Sequence, residues 1–290
     1  MQIVTDSGAD IKLNPEAIRD LNIHVVPLNV TLEGTTYREG IDISTDDFYD
    51  LLEASNTMPT TSQPSAGEFA DLYRKLGESG EEILSIHMSS GLSGTYNSAL
   101  AGSRMVPEIK VTHVDTKTLS AACGWQVLAA AKAVKAGISL DAILEMLKRI
   151  SDGADSIYTL KELKYLINGG RISHLKGLLA SAFRIKPLIG VEKIGGTYVQ
   201  HGMVRSFTKA IAGLAEFITK QHPIGTNMRV QVLHARNLEG AEMLVEHMDR
   251  LFKCEWLPIG AMSLVLGAHT GPSMVGVAYS PVSAFDGVPA

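Results

Sequence analysis

Two stretches of the sequence are rich in hydroxyl side chains, at residues 60–65 (TTSQPS) and residues 89–95 (SSGLSGT). The positions in them that we predict to bind a ligand are Thr61, Ser62, Ser93 and Gly94. A helix that begins after the second stretch would present N–H groups with partial positive charge, which suits a carboxylate or a phosphate. The alternative is ordinary helix capping by serine and threonine. Because both stretches fall in the same half of the chain, we interpret them as the site of a small, oxygen-bearing head group.

Two arginines and a histidine lie beside predicted turns. Arg171 follows a Gly-Gly pair, Arg205 stands between a predicted strand and a predicted helix, and His269 lies in a glycine-flanked segment that we predict to be a loop. A guanidinium group pairs with a carboxylate or phosphate through two parallel hydrogen bonds, and a histidine can donate to an anion or carry a proton. The alternatives are solvated arginines, an interface salt bridge and a surface histidine.

The common catalytic signatures are missing. The chain has no Gly-x-Ser-x-Gly nucleophile motif, no phosphate loop with its lysine, and no Gly-x-Gly-x-x-Gly motif. The histidines lack metal-ligand spacing, and Cys123 and Cys254 read as separate buried thiols, so we expect no metal and no cofactor. An enzyme that uses Ser93 or His269 on a small acyl or phosphoryl substrate remains an alternative, and a regulatory module is a third.

The first half of the chain predicts a parallel sheet. Apolar strand patterns near residues 3–7, 23–30, 83–87 and 111–115 alternate with helical patterns, and this alternation is typical of an α/β fold with helices on both faces. Pro27 places its strand at an edge or a bulge. Ligands bind beyond the carboxyl ends of such strands, where the polar stretches lie.

The pattern changes after residues 151–155, which we predict to be a linker. Strand patterns around Gly195 and Gly196 indicate a hairpin, and helices follow, so residues 154–290 are expected to form an α+β domain with a mixed sheet. Residues 1–153 form the other domain, and the ligand is placed between the two. An apolar run at residues 178–183 could line a lipid tunnel or belong to the core.

Composition bounds the partners and the location. The net charge of -5 and the 6% of aromatic residues give no footprint for nucleic acid. The N-terminus has no signal-peptide pattern, and no apolar stretch reaches the ~20 residues that a membrane span needs. We therefore expect a cytoplasmic protein with no integral membrane association.

Taken together, these segments resemble the DegV family of bacterial fatty-acid-binding proteins over nearly the whole chain. The motifs that carry the resemblance are IVTDS at residues 3–7, TSQPS at 61–65, residues 90–97, VDT at 114–116, GGRIS at 169–173, IKP at 185–187 and HTGP at 269–272. Each motif is weak alone, but their order and spacing are specific.

The resemblance implies two α/β domains that enclose one long-chain fatty acid, such as palmitate. In that family pattern Thr61 and Ser93 hold the carboxylate next to Gly94, while Arg171, Arg205 and His269 line the polar end. It also implies a carrier rather than an enzyme, one that presents the bound acid to a separate fatty-acid kinase for acyl phosphate formation. Transient contact with a membrane is left open.

Some positions depart from the usual family pattern: Gly8, Phe183, Arg184, Arg236 and Ser273. Most of them bear on the shape of the tunnel and hence on chain preference. Arg236 is expected at the surface, where it bears on partner contact. None of these departures removes a residue that we predict to bind the carboxylate.

Overall fold

The computed structural model describes residues 1–175 and 185–290, apart from the side chain of His174. The apolar run at residues 178–183, and the departures at Phe183 and Arg184, lie outside the described residues. A parallel sheet, a larger mixed sheet and a small antiparallel sheet, all accompanied by helices, confirm the predicted α/β fold class.

The first part of the chain, up to residue 153, builds the parallel sheet and the small antiparallel sheet. Its strands are β1 (Gln2–Asp6), β2 (Ile23–Val26), β3 (Asn29–Leu32), β4 (Thr35–Arg38), β5 (Thr60–Ser62), β6 (Ile83–His87) and β7 (Val111–Asp115). Its helices are α1 (Pro15–Asp20), α2 (Thr45–Ala54), α3 (Ala66–Gly77), α4 (Thr95–Arg104), α5 (Ser120–Lys135) and α6 (Leu140–Gly153). The parallel sheet has the order β2-β1-β6-β7. Ile3 packs with α5 and α6 on one face and Val4 packs with α3 and α4 on the other, because successive side chains of a strand point to opposite faces.

The region after β2 differs from the prediction. Residues 23–30 do not form one strand: β2 stops at Val26, and β3 begins a separate antiparallel sheet of order β4-β3-β5. Pro27, which has no N–H group to donate, lies at the break, and β2 is an edge strand as its proline predicts. The first hydroxyl-rich stretch is partly strand β5, and its Ser65 caps α3 by accepting a hydrogen bond from Glu68 N–H at 3.2 Å.

The rest of the chain builds the mixed sheet, in the order β10-β9-β8-β14-β11-β12 with β13 beside β11. Its strands are β8 (Asp155–Thr159), β9 (Lys186–Val191), β10 (Tyr198–Val204), β11 (Asn227–His234), β12 (Lys253–Trp256), β13 (Gly260–Ala261) and β14 (Val275–Pro281). Its helices are α7 (Lys164–Asn168), α8 (Phe207–Ile218), α9 (Leu238–Leu251) and α10 (Leu264–Thr270). The antiparallel β9–β10 pair confirms the hairpin predicted at Gly195 and Gly196.

The expectation that His269 lies in a loop is wrong. Ser263 accepts a hydrogen bond from Leu266 N–H and starts α10, which continues through His269 to Thr270. Every residue of the helix is buried. Gly267 allows the Tyr49 ring to approach closely, because a Cβ atom at this glycine would lie 2.1 Å from the Tyr49 hydroxyl oxygen. Packing therefore stabilises a helix that is too short to persist alone.

The predicted linker at residues 151–155 is also wrong. Residues 151–153 are the last turn of α6, and β8 begins at Asp155. The two sheet regions share a core across this point: Trp125 of α5 donates to Gln231 of β11 at 3.0 Å, and its ring lies 5.7 Å from that of Phe285. The parallel sheet precedes residue 154 and the mixed sheet follows it, while a division into two domains stays a prediction.

Two helical glycines test how tightly α3 and α4 pack. A Cβ atom at Gly102 would lie 2.7 Å from both the carbonyl oxygen of Ala66 and the Cβ of Phe69, whereas at Gly67 the nearest atom is 3.8 Å away. We expect Gly102→Ala to lower the free energy of unfolding by ~1–3 kcal/mol through overpacking. Gly67→Ala should raise it by up to ~1 kcal/mol, because alanine favours a helix over glycine. Urea denaturation of the two variants checks this, and equal effects would contradict the close packing.

Candidate functional site

The structure brings most of the predicted site residues to one narrow cavity, which we call the head-group cavity, of about 30 Å³. Its polar lining consists of Thr61, Ser62, Gln63, Ser93, Arg171 and His269. Its apolar lining consists of Leu28, Met88, Leu92, Leu119, Tyr198, Val265 and Leu266. The predicted positions therefore meet, although they come from different parts of the chain. Thr61, Ser62 and Ser93 belong to the region of the parallel sheet, and Arg171 and His269 belong to the region of the mixed sheet.

A hydrogen bond between Thr61 and His269 crosses the head-group cavity. Thr61 Oγ1 of β5 lies 2.8 Å from His269 Nε2 of α10. Burial, and after it the charge of Arg171, lowers the pKa of His269 to about 4, so the ring is neutral near pH 7. Its Nδ1 has no hydrogen-bond partner among the residues that the structure describes. The ring lies against Gly169, where a Cβ atom would be 2.0 Å from Nδ1.

Ser93 and Gly94 form the start of helix α4. Ser93 Oγ lies 2.8 Å from Thr95 Oγ1, and it also accepts a hydrogen bond from Thr95 N–H at 3.3 Å. Gly94 is the N-cap residue and provides no side-chain cap, so the positive end of the helix dipole lies at residues 93–95. A Cβ atom at Gly94 would lie 2.7 Å from the amide nitrogen of Gln63, which shows that the two hydroxyl-rich stretches touch.

Arg171 connects the head-group cavity to the surface. It follows Gly170, whose φ of +74° suits glycine, and it begins a short 3-10 turn. Its Nη1 donates to the Gly169 carbonyl at 2.6 Å and its Nε to the Leu92 carbonyl at 3.4 Å. The guanidinium group carries five N–H donors, and within the described ranges these two hydrogen bonds use two of them, which leaves the others for an anion. Arg171, Leu92 and Ser93 also line an open recess of about 330 Å³ with Gly91, Gly94, Gly169, Gly170 and Ser90.

Arg205 is not brought to the cavity. It lies between β10 and α8, as the sequence predicts, but its side chain is exposed and belongs to neither lining set. Gly94 lines the open recess rather than the cavity itself. A role for Arg205 in binding stays a prediction.

An apolar cavity adjoins the head-group cavity. The two share Leu119, Tyr198 and Leu266 as a common wall, and the second also encloses about 30 Å³. Its further lining is mostly apolar: Ser120, Ser156, Ile157, Tyr158, Leu233, Met262, Thr270, Met274, Gly276, Val277 and Ala278. The described residues thus form a sequence of spaces from an open recess through a polar cavity to an apolar one.

The two residues of the enzymatic alternative, Ser93 and His269, are not hydrogen-bonded to each other. Ser93 Oγ contacts Thr95, while His269 contacts Thr61. A serine nucleophile needs a base within hydrogen-bond reach and a third group that orients the base. Within the described chain, no carboxylate is hydrogen-bonded to the free Nδ1 of His269. This geometry supports holding a ligand and does not support nucleophilic attack.

A chain of buried hydrogen bonds at the carboxyl ends of β1 and β6 was not predicted from the sequence. His87 Nδ1 lies 2.9 Å from Asp6 Oδ2, and His87 Nε2 lies 2.7 Å from Ser85 Oγ. The order resembles a Ser-His-Asp triad, but all three residues are 0% exposed, and Ser85 and His87 line none of the described cavities. The sequence carried a signal for this contact. Asp6 and His87 are the last residues of two neighbouring parallel strands, so their side chains must lie at the same end of the sheet.

Other predicted features are placed as follows. The polar segment after β7 supports the second hydroxyl-rich stretch, since Asp115 accepts a hydrogen bond from Ser90 N–H at 3.1 Å and pairs with Lys117 Nζ at 2.8 Å. Arg236 is exposed, as expected, and its guanidinium pairs with Asp50 of α2. Ser273 accepts a hydrogen bond from Lys161 N–H at 3.1 Å.

Within residues 1–175 and 185–290, no group of three or more His, Cys, Asp or Glu side chains is arranged to hold a metal ion. Across the same described ranges, none of the helices combines the length and apolar character that a bilayer span requires. Both cysteines are free thiols, and only Cys123 is fully buried, so the expectation of buried thiols is confirmed for Cys123 alone.

The fold and the adjoining cavities define the class as an α/β protein that encloses a polar space beside an apolar one. Residues 1–282 match a family model described as uncharacterised protein, DegV family. A DegV domain-containing protein of Staphylococcus aureus is 37% identical over 281 residues, which cover 95% of this chain and 96% of that protein. Protein DegV of Bacillus subtilis is 32% identical over 279 residues, covering 96% and 98%. The chain belongs to the DegV family.

Solved structures agree with this assignment. The structure of Bacillus subtilis DegV, described as a fatty acid binding protein, matches with a TM-score of 0.85 at 32% identity and covers 96% of this chain and 98% of its own. A Thermus thermophilus DegV family protein, described by its fatty acid binding, matches with a TM-score of 0.87 at 29% identity and covers 97% and 99%. The fold is therefore shared over almost the whole length.

The low pKa of His269 gives a measurable pH dependence. Because the folded pKa of about 4 lies below the ordinary value of 6.5, the unfolded chain takes up this proton first as the pH falls. The contribution of His269 to the free energy of unfolding is therefore intact above pH 6.5 and is lost progressively down to about pH 4. We expect the His269 ring to titrate near pH 4 by NMR, with His269→Gln identifying its signal. A full imidazolium shift with its midpoint near 6.5 would show that the ring is not enclosed.

Proposed function

We propose that this protein binds one long-chain fatty acid, with the carboxylate in the head-group cavity and the acyl tail in the adjoining apolar cavity. The observation that carries the proposal is the shared wall of Leu119, Tyr198 and Leu266, which places an apolar space directly behind a polar one. The relatives from Bacillus subtilis and Thermus thermophilus, whose structures are described as fatty acid binding, support the same ligand class.

The donors suit a carboxylate. Thr61, Ser62 and Ser93 supply hydroxyl groups, and Arg171 supplies the positive charge. Gly94 adds the N-terminus of α4. A hydrogen bond to a charged acceptor contributes ~1.5–3 kcal/mol, whereas each buried methylene contributes ~0.8 kcal/mol. Over a long chain the tail therefore supplies most of the affinity, and the polar groups orient the carboxylate.

The tail must reshape the apolar cavity. A volume of about 30 Å³ corresponds to roughly one water molecule in the liquid, far less than a long acyl chain. Met262 and Met274 in the lining are unbranched and flexible, so they repack at low cost when a chain enters. The length of chain that fits depends on this repacking.

The protein acts as a carrier, and a separate fatty-acid kinase supplies the catalysis in the cytoplasm. The recess at Arg171 and Ser93 leads from the surface to the carboxylate position, so a partner can reach the head group while the tail stays enclosed. In the reaction, a carboxylate oxygen forms a bond to the terminal phosphorus of a nucleoside triphosphate held by the kinase, and the nucleoside diphosphate leaves. No cofactor takes part on this chain, and contact with a membrane during loading is transient.

Removing two hydroxyls tests the head-group assignment. We expect the double variant Thr61→Ala/Ser93→Ala to bind palmitate at least about tenfold more weakly, since it loses two hydrogen bonds to a charged acceptor. It should also form less acyl phosphate when the kinase is added. Binding is measured by titration, and mass spectrometry of organic extracts reports the acid that co-purifies with the wild type.

The matched control is Thr60→Ala/Ser98→Ala, which removes one threonine and one serine hydroxyl from positions outside the two cavities. The control should bind as the wild type does. Unchanged binding and phosphorylation in the first double variant would show that the carboxylate lies elsewhere. A wild-type protein that neither carries nor binds a fatty acid would overturn the proposed function.

Chain length tests the tail assignment. For saturated acids of increasing length, we expect the dissociation constant to fall about fourfold per added methylene, the factor that corresponds to ~0.8 kcal/mol. The trend should stop at the length that fills the enclosed space. Calorimetric titration of the series measures both values, and a dissociation constant independent of length would contradict burial of the tail.

A further inference from the structure

A cleft of about 720 Å³ lies outside the head-group cavity, at the carboxyl end of β1. We call it the carboxylate cleft, because its lining includes the acidic residues Asp6, Asp10 and Glu39. The other polar and charged groups that line it are Ser7, Lys12, Ser44, Thr45 and Ser263. The cleft also includes Leu264, the first residue of α10, so it borders the helix that carries His269.

Glu39 joins three segments around this cleft. Its carboxyl oxygens accept hydrogen bonds from the Ser7 hydroxyl at 2.6 Å and from the Leu264 N–H. Its backbone N–H donates to the Leu28 carbonyl at 2.9 Å. Ser7 Oγ in turn accepts a hydrogen bond from Leu28 N–H at 3.0 Å. Glu39 thus connects the end of β1 and the start of α10 through its side chain, and the residue before β3 through its backbone and through Ser7.

Two of the connected segments are walls of the head-group cavity. Leu28 lines that cavity, and α10 contributes Val265, Leu266 and His269 to it. Glu39 itself lines only the carboxylate cleft among the described cavities. Its contacts therefore act on the binding residues from the outside, without touching the ligand position.

We propose that Glu39 is a positioning residue that holds helix α10, and with it His269, against the head-group cavity. The effect on ligand binding rests on the proposed function, whereas the effect on the His269 ring does not. A carboxyl group suits this task, because its two oxygens accept from two directions at once.

The surroundings of Glu39 make the contact sensitive to pH. Burial has the largest effect on the pKa of Glu39 and raises it, as does the charge of Asp10. The hydrogen bonds from the Ser7 hydroxyl and Leu264 N–H and the charge of Lys12 lower it, and the net pKa is about 7. The other titratable groups on this side are Tyr49, Asp6 and His87. Because the pKa of Glu39 in this position lies above its ordinary value of 4.5, the folded structure favours the protonated carboxyl, and the hold on α10 weakens as the pH rises through about 7.

The test compares Glu39→Ala and Glu39→Gln with Glu33→Ala, an exposed glutamate in the turn between β3 and β4. We expect Glu39→Ala to weaken palmitate binding about tenfold, the factor for one lost hydrogen bond of this kind, and to move the NMR signal of the His269 ring. Glu39→Gln keeps one acceptor oxygen for Leu264 N–H, so it should recover most of both. Glu33→Ala should match the wild type.

The pH response separates positioning from a general loss of stability. In the wild type, binding should weaken and the His269 signal should shift slightly as the pH rises past about 7, and both responses should be absent in Glu39→Gln. A folded Glu39→Ala protein with wild-type binding and an unmoved His269 signal would overturn the proposal. If Glu39→Ala does not fold, a Glu39→Gln protein with the wild-type pH response overturns it. If the wild type binds no palmitate, the proposed function fails while the His269 signal still decides this inference.

Discussion

Asp6 places a carboxyl group with no solvent exposure at the carboxyl end of β1, and the ends of two strands are organised around it. It accepts hydrogen bonds from Gly8 N–H at 3.1 Å and Met88 N–H at 3.2 Å, and its other contact is His87 Nδ1 at 2.9 Å. A buried polar group without partners is costly, so the chain must turn at both strand ends in a way that supplies these donors. Gly8 fits because a Cβ atom there would lie 2.5 Å from the end of the Met88 side chain.

This constraint reaches the head-group cavity through residues that directly follow His87 in the sequence. Met88 lines the head-group cavity, and Ser89 donates to the Gly196 carbonyl at 2.7 Å, which fixes the β9–β10 hairpin on the parallel sheet. Backbone contact there is close: a Cβ atom at Gly91 would lie 2.3 Å from the Gly195 carbonyl oxygen. The loop that carries Ser93 is thereby held from both sheet regions.

A neutral histidine changes how an anion is balanced in the head-group cavity. His269 can share a hydrogen bond with Thr61 without adding a positive charge, because burial keeps its pKa low. In the proposed function, the charge of the carboxylate is met by Arg171 and by the N-terminus of α4. Both groups also line the open recess, through Arg171 and Gly94.

The sequence by itself determined the α/β class, the edge position of β2 and the hairpin at Gly195, because these follow from local propensity and periodicity. It also indicated the hydroxyl, arginine and histidine positions, since their residue types match an anionic ligand.

Only the tertiary structure decided which of them meet. Thr61 and His269 are 208 residues apart, Arg205 stays exposed, and Glu39 acts through α10, none of which has a local signal. His269 lies on a helix because burial against Tyr49 outweighs the loop preference of its glycines. Contacts between distant segments depend on how the sheets and helices pack together, and the pattern of neighbouring residues does not carry that information.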